Sequence, residues 1–289
     1  MDKKQIALIG STGTIGVELI NLLSASEVDT ISFYRDESKV RNLPFIKWVK
    51  VDLNNLEELS SNLQGVKSLF LLTGNNPGFS KAQIHVVKTA ENSGVSHIVK
   101  LSALGASPRS KSPLLLEHWE VEQAIEESDL SWTFLRPHMF MQNWITDIAG
   151  TIKEEGKIYS AVGDGKVPSI DTRDISAVAK EVLLNPEKHN GKKYVLTGGK
   201  AVGYDELAEA LSQATNKQIV YNPLSMDEMR ARMEKQGLSK KLIDSLLALS
   251  AYQKAGGATE RVSDDVKNIL NREPKTVYDF AEDYKKYFS

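Results

Sequence analysis

Short apolar runs alternate with segments of helical spacing along the first part of the chain. The runs are predicted strands, and they lie at residues 6–9, 30–34, 48–51, 68–72, 97–102 and 132–135. The run at 68–72 is apolar throughout, as is typical of a central parallel strand that is buried on both faces. Regular alternation of strand and helix indicates an α/β fold with a parallel sheet. We therefore predict a Rossmann-type, doubly wound parallel sheet.

Beyond residue 150 the pattern is mostly helical. Short strands are predicted at 157–159 and 193–197, and the sequence from 204 onward is interpreted as helices. Predicted helices cover 175–184, capped by Asp174, and also 226–234, 238–252 and 277–288. We expect a core of residues 1–150 and a smaller C-terminal region of residues 151–289, interleaved with the core and not an independent domain.

A glycine-rich turn joins the first strand to the first helix. It reads Gly10-Ser11-Thr12-Gly13-Thr14-Ile15-Gly16. Glycines allow a tight turn and a close approach of backbone N–H groups to a pyrophosphate, and the helix N-terminus adds a partial positive charge. The G-x-x-G-x-x-G spacing differs from the G-x-G-x-x-G fingerprint, but its place between strand and helix favours dinucleotide binding over a plain βα turn.

The carboxyl ends of parallel strands meet at one edge of a sheet, where ligands of such folds bind. The candidate cofactor residues at these ends, besides the glycine-rich turn, are Arg35, Lys39, Asp52, Leu53, Thr73, Gly74, Asn75 and Ser102. Asp52 could bond the adenine amino group, cap the helix predicted from Asn54 onward, or do both.

Arg35 bears on the choice of cofactor. It lies 19 residues beyond Gly16 (35 − 16), close to the spacing of about 20 at which such folds contact the adenosine ribose. A guanidinium pairs bidentately with a phosphate, which favours NADP(H) over NAD(H). The alternative is a solvated surface arginine that Asp36 and Glu37 partly neutralise.

The helix after the fifth strand carries a histidine and a glutamate one turn apart. Ser112 and Pro113 are predicted to begin it, and its apolar row contains Leu114, His118, Val121 and Ile125. His118 and Glu122, at i and i+4, are close enough to contact each other. His118 is either a hydrogen-bonded core residue or a group that faces the cofactor.

The sixth strand runs into a segment that suits the wall of an apolar pocket. Pro137 and Met139 are candidates for cofactor contacts there. The candidate substrate residues are Ala103, His138, Phe140 and Asn143.

Composition narrows the function classes. The chain has no cysteine, which excludes disulfides, a cysteine nucleophile and a thiolate metal site, and we expect no metal. The formal net charge is −2, which argues against nucleic-acid binding. No secretory segment or membrane span is evident, so we expect a cytoplasmic protein without membrane contact. Monomer and dimer both remain open.

Several motifs together resemble the NmrA-like group of atypical short-chain dehydrogenases/reductases. They are the glycine-rich turn, residues 101–106, 132–137, 140–143, 171–175 and 194–199. The resemblance covers nearly the whole chain. It implies a Rossmann core that binds NAD(P), usually NADP, and a small C-terminal substrate region. Members of the group include quinone, azo-dye and triphenylmethane-dye reductases as well as redox sensors without turnover.

One departure from the wider family concerns the catalytic pair. Typical short-chain dehydrogenases carry Tyr-x-x-x-Lys on the helix after the fifth strand, whereas this chain has His118-x-x-x-Glu122, as in the quinone-reductase-like members. The resemblance implies that Glu122 bonds a ribose hydroxyl and that His118 is a candidate proton donor.

Two functions of different class follow from these observations. The first is NADPH-linked reduction of a small electrophile such as a quinone, whose reduced anion solvent can protonate. The second is a non-enzymatic NAD(P) redox sensor that reports to a protein partner. A sugar-nucleotide epimerase is a weaker third hypothesis, because such enzymes need the absent Tyr/Lys pair.

Overall fold

A computed structural model describes residues 5–53 and 55–289 of the protein. Strands β1 to β9 are, in chain order, Gln5–Ile9, Thr30–Tyr34, Ile46–Lys50, Val66–Leu71, His97–Leu101, Ser131–Pro137, Lys157–Ser160, Lys192–Leu196 and Val220–Pro223. Helices α1 to α13 are Thr14–Ala25, Leu56–Leu63, Phe79–Asn92, Pro113–Glu126, Asn143–Asp147, Ala149–Glu155, Thr172–Leu184, Pro186–His189, Tyr204–Thr215, Met226–Lys235, Lys240–Lys254, Asp265–Leu270 and Val277–Tyr284. The predicted helix start at Asn54 lies outside the described residues.

The chain divides into two compact units. Unit 1 contains the described residues up to His138, together with Thr172–Leu196 and Asp265–Arg272. Unit 2 contains Met139–Asp171, Thr197–Asp264 and Glu273–Ser289. Each unit is therefore built from three separate stretches of sequence.

Unit 1 is a seven-stranded parallel sheet with helices packed on it. The strand order is β3-β2-β1-β4-β5-β6-β8, and every neighbouring pair is parallel. Its core is formed by central-strand residues and inward-facing helix residues such as Leu69, Ile98, Val121 and Phe134, all fully buried. This arrangement confirms the predicted doubly wound sheet.

Helix boundaries in unit 1 depend on local capping. Helix α3 has Ser93 at its C-cap and Gly94 in the left-handed conformation just beyond it (φ +78°), as is typical of a helix end. Helix α2 is capped by the Asn55 side chain, which accepts from the Glu58 N–H, so the prediction that Asp52 caps this helix is wrong. Asp174 lies inside the first turn of α7 and forms an ion pair with Arg272 at 2.7 Å, so its predicted capping position is also wrong.

Unit 2 is mainly helical. Strands β7 and β9 form a short parallel pair, and helices α9 and α13 pack together around Leu207, Leu211 and Phe280. Helices α10 and α11 share a smaller apolar cluster at Met233, Ile243 and Leu247. The prediction placed only helices beyond residue 204, and it missed β9. Among the described residues, no helix is both long and apolar enough to span a membrane.

Candidate dinucleotide-binding site

The three glycines of the β1–α1 turn differ in how much space the fold leaves for a side chain. Gly10 has φ +89°, and a Cβ there would lie 2.4 Å from the Leu72 carbonyl oxygen. A Cβ on Gly16 would lie 2.2 Å from the carbonyl oxygen of Gly10. Gly13 is different, because the nearest atom to its Cβ would be the Gly10 oxygen at 3.5 Å, an ordinary contact. The fold therefore needs Gly10 and Gly16 but leaves open space at Gly13.

The N-terminus of α1 is available to an anion. Gly13 occupies the N-cap position without a side-chain cap, and the first turn contains no acidic residue. The Ser11 hydroxyl donates to the Phe33 carbonyl oxygen at 2.7 Å, so it ties the turn to β2 rather than capping the helix. The first N–H groups of a helix lack intrahelical acceptors, which suits a pyrophosphate.

Arg35 follows β2 and is exposed. Its neighbour Asp36 accepts from the Ser38 N–H at 3.0 Å and from the Ser38 hydroxyl at 2.7 Å. The Ser38 hydroxyl and N–H lower the pKa of Asp36, and Lys39 adds to the effect. Within residues 5–53 and 55–289, Arg35 has no hydrogen bond or ion pair. Its guanidinium is thus not neutralised by a bonded carboxylate.

The ends of β3 and β4 contribute polar groups to the same edge. Asp52 is exposed and Leu53 is half-buried. The Thr73 hydroxyl accepts from Gln83 Nε2 at 2.6 Å, while Gly74 and Asn75 are exposed.

Ser102 lies directly beyond β5 and is 4% exposed. Its N–H donates to the Leu135 carbonyl oxygen at 2.7 Å, which continues the β5–β6 ladder. Its buried hydroxyl has no hydrogen-bond partner in the described part of the chain. A buried polar atom without a partner is uncommon, so a bound ligand atom would satisfy it. Together with the open Gly13 position, this hydroxyl fits a site for a dinucleotide.

His118 is buried on α4 and contacts a lysine. Lys100, fully buried near the end of β5, lies 3.1 Å from His118 Nδ1 and donates a short hydrogen bond to the Leu101 carbonyl oxygen. Burial lowers the pKa of Lys100 to about 7, against the opposing effect of Glu122. Burial and the Lys100 charge lower the pKa of His118 to about 3. His118 is therefore a neutral imidazole at physiological pH.

Glu122 has a different partner from the one its spacing suggests. Arg136 Nε donates to Glu122 Oε1 at 2.9 Å, and Arg136 Nη2 donates to Oε2. The carboxylate is fully buried and both its oxygens are bonded. The expected His118–Glu122 contact is replaced by the Arg136 pair, and the ribose contact of Glu122 stays a prediction. Leu114, predicted in the apolar row of α4, is instead 38% exposed.

The remaining predicted residues are divided between the two units. Pro137 ends β6 and accepts from the Leu104 N–H at 3.1 Å, Ala103 is half-buried, and the His138 N–H donates to Leu196 at 2.9 Å, all in unit 1. In unit 2, Gln253 Nε2 donates to Met139 Sδ at 2.7 Å, Phe140 forms a bridge with Ile170, and the exposed Asn143 begins α5.

Comparison with known families agrees with this geometry. Residues 10–186 match the model of a family described as NAD(P)H-binding. The chain belongs to this NAD(P)H-binding family. The matched segment contains the glycine-rich turn, the carboxyl ends of β2 to β6 and the Lys100–His118 contact.

Relatives of this NAD(P)H-binding protein cover almost its whole length. The NAD(P)H azoreductase of Xenophilus azovorans is 32% identical, over 98% of this chain and 99% of the relative. The solved structure of the NADPH-dependent quinone oxidoreductase 2 of Escherichia coli in complex with NADPH is 28% identical, with a TM-score of 0.84 over 96% of this chain and 99% of that chain. NmrA, at 16% identity and a TM-score of 0.78 over 99% of this chain and 96% of that chain, shares the fold. The family match and the azoreductase confirm the predicted NAD(P)-binding reductase family, and the likeness to NmrA shows the shared fold.

The sequence alone did not point to Lys100 and Arg136 as charged residues of this site. Lys100 is the single charged residue in the buried strand His97–Leu101. A lone charge in a buried strand is an available signal, because buried charges are rare unless they are paired.

Proposed function

We propose that this protein is an NADPH-dependent reductase of small electrophilic molecules, with quinones as the first substrate class to test. The chain is an NAD(P)H-dependent oxidoreductase by family, and its relatives include an azoreductase and a quinone oxidoreductase. The observation that carries the proposal is the site at the carboxyl edge of the sheet, where an uncapped helix N-terminus, an unpartnered hydroxyl and an exposed arginine occur together.

The preference for NADPH over NADH rests on Arg35. Because Asp36 is bonded to Ser38, it does not occupy the guanidinium, which is free to pair with a 2′-phosphate. A planar guanidinium matches a phosphate through two parallel hydrogen bonds. Lys39 adds a second positive charge to this end of β2.

The residues of the chain supply binding, orientation and a proton. A bound NAD(P)H would supply the hydride. The N–H groups of α1 hold the pyrophosphate, and the Ser102 hydroxyl offers a hydrogen bond at the end of β5. His118 is the candidate donor of the proton that the reduced product requires. The substrate roles of residues 151–289 and of Ala103, His138, Phe140 and Asn143 stay predictions.

A two-stage experiment tests this function. The purified protein is titrated with NADPH, NADP and NADH, and binding is followed by tryptophan fluorescence. A panel of quinones and an azo dye is then added, and oxidation is followed by the absorbance of the reduced nicotinamide. We expect tighter binding of NADPH than of NADH and oxidation that depends on the acceptor.

Other outcomes have definite meanings. Tight binding without oxidation by any acceptor would favour the redox sensor, whose mark is unequal affinity for the reduced and oxidised cofactor. Equal affinity for NADPH and NADH would remove the role given to Arg35 and leave the reductase function intact.

A further inference from the structure

Lys100 is a buried amine in apolar surroundings. Its neighbours across the sheet are Leu71 on β4 and Phe134 on β6, both fully buried. The ring of Phe79, from the start of α3, lies 6.0 Å from Nζ. A lysine is rarely buried without a partner, because desolvation of the ammonium is costly. The position therefore calls for an explanation beyond packing.

The nearby carboxylate does not neutralise Lys100 by contact. Glu122 is the acidic group that acts on the lysine electrostatically, yet both its oxygens bond Arg136. The hydrogen bonds of Lys100 go instead to the Leu101 carbonyl oxygen and to His118 Nδ1. Two acceptors match the two N–H bonds of a neutral amine, whereas an ammonium has a third. The surroundings thus allow both protonation states.

The lysine also faces the same side of the sheet as Ser102. Side chains two residues apart in a strand point to the same face, and the Ser102 N–H extends the ladder past the end of β5. Lys100, His118 and the unpartnered Ser102 hydroxyl therefore belong to one part of the carboxyl edge. An ammonium that donates to Nδ1 leaves the imidazole proton on Nε2.

We propose that Lys100 is a positioning residue for His118: it keeps the imidazole proton on Nε2 and, through Nδ1, replaces that proton after His118 has donated it. This inference rests on the proposed reductase function. Reduction of an electrophile by hydride leaves an anion that needs one proton. The Nε2–H bond of His118 breaks as the product O–H or N–H bond forms, and an Nζ–H bond of Lys100 breaks as the Nδ1–H bond forms. His118 then takes a proton from water at Nε2 and returns its Nδ1 proton to Lys100, which restores the ammonium and the starting tautomer.

The charged and titratable groups around the pair set the pH dependence. They are Glu122 on α4 and its partner Arg136 on β6, while α3 contributes the uncharged Phe79. Since burial lowers the pKa of Lys100 to about 7, the ammonium that can deliver a proton is present below that pH and lost above it. Single-turnover rates of the wild type should therefore fall as the pH rises through about 7.

The first arm of the test needs neither cofactor nor turnover. ¹⁵N NMR of the histidine side chains, with His118 assigned by H118Q, should show the Nε2–H tautomer and a change in chemical shift with a midpoint near pH 7. In Lys100→Met that change should be absent. The matched control is Lys67→Met, which replaces an exposed lysine of the adjacent strand β4 and should leave the change in place. An Nδ1–H tautomer in the wild type, or a titration that survives in Lys100→Met, would overturn the proposal.

The second arm measures single turnover with NADPH and a quinone between about pH 5.5 and 9. Since a general acid contributes roughly 100-fold or more to a rate, Lys100→Met should be at least about tenfold slower at low pH and lose the decline above pH 7. Adding H118Q to Lys100→Met should cause little further loss, because the two residues act as a unit. If the wild type shows no turnover, the proposed reductase function is refuted, and the NMR experiment still tests the contact between Lys100 and His118. If turnover occurs with an unchanged pH profile in Lys100→Met, the proton role fails alone.

Discussion

The two ends of the parallel sheet in unit 1 each bury a histidine, and the two differ in their partners. At the amino end, His97 Nδ1 and Nε2 lie 3.1 Å from the hydroxyls of Ser131 and Thr133. Those hydroxyls themselves donate to backbone carbonyl oxygens at 2.7 and 2.8 Å. Because both hydroxyl protons go to carbonyl oxygens, a neutral His97 donates its one N–H to one of these hydroxyls, and its partners are all uncharged.

At the carboxyl end the polar groups are charged or unpartnered. His118 bonds a buried lysine, the Ser102 hydroxyl lacks a partner among the described residues, and the N-terminus of α1 has no side-chain cap. Burial lowers the pKa of both histidines, to about 4 for His97 and about 3 for His118. A perturbed pKa therefore does not distinguish the two ends, whereas the partner of each histidine does, since His118 contacts a lysine and His97 contacts hydroxyls.

The presence of a surface concavity does not identify the functional end of the sheet either. A wide concavity lies at the amino edge, lined by residues that include Asp29, Phe45 and Lys47. No motif identified in the sequence falls there. The comparison indicates that neither concavity nor a buried titratable group alone marks the functional edge of this sheet, whereas the uncapped helix, the Ser102 hydroxyl and the Lys100–His118 contact occur together there.

The largest expected effect is on NADPH binding, and two substitutions in the glycine-rich turn distinguish it from an effect on folding. Gly13→Val should abolish measurable NADPH binding, because the side chain would occupy the space of the pyrophosphate, while the thermal unfolding midpoint changes little. Gly16→Ala should instead lower the unfolding midpoint, since its Cβ would lie 2.2 Å from a carbonyl oxygen. Fluorescence titration and calorimetry measure the two effects. Normal NADPH affinity in Gly13→Val would refute the site.

The next effect concerns cofactor choice at the same end. Arg35→Asp removes hydrogen bonds to a phosphate, each worth about 1.5–3 kcal/mol, so NADPH affinity should fall roughly 10- to 100-fold or more. NADH affinity should change much less, because NADH lacks the 2′-phosphate. Lys47→Asp, at an exposed lysine of β3, is the matched control. An equal loss for both cofactors would contradict the 2′-phosphate role.

The smallest expected effect is on the free energy of unfolding, and it comes from His97 at the amino end of the sheet. His97→Leu should lower the free energy of unfolding by about 1–3 kcal/mol, the usual penalty for leaving buried polar groups unpaired, with NADPH affinity unchanged. Urea denaturation measures the first quantity and fluorescence titration the second. A loss of affinity comparable to that of Arg35→Asp would mean that the two ends are coupled.

The same histidine gives stability a pH dependence. The pKa of His97 falls from 6.5 to about 4 on folding, so the unfolded chain binds more protons between these values. Stability from this group is fully present above pH 6.5 and is lost as the pH falls toward 4. The slope of unfolding free energy against pH should be smaller in His97→Leu than in the wild type. An identical slope would show that His97 is not neutral in the folded protein.

The sequence predicts the sheet well because local patterns determine it. The apolar runs and the glycine spacing depend on neighbouring residues, and the structure agrees with the strands and the turn that they predict. Strand β9 escaped prediction because it has four residues, ends in a proline and buries only Tyr221.

The details of the site depend on partners that lie far apart in the sequence. An i, i+4 spacing suggests a His118–Glu122 contact, but Arg136 and Lys100 reach these side chains from neighbouring strands, 14 and 18 residues away. A guanidinium that bonds both oxygens of a buried carboxylate outcompetes a neutral imidazole. Local spacing cannot reveal such competition, whereas a single lysine in a buried strand hints at it.

The chain crosses between the two units after residues 138, 171, 196, 264 and 272, and this connectivity limits how the protein can be made and engineered. During synthesis the last strand of the seven-stranded sheet is complete only once Leu196 has been added, and Asp174 can pair with Arg272 only after that later residue has been added. A truncated chain that stops near residue 150 would therefore lack β8, α7 and the Arg272 ion pair. Expression of unit 1 alone requires joining its three segments into one chain. A circular permutation must likewise leave each of these segments in its place in the fold.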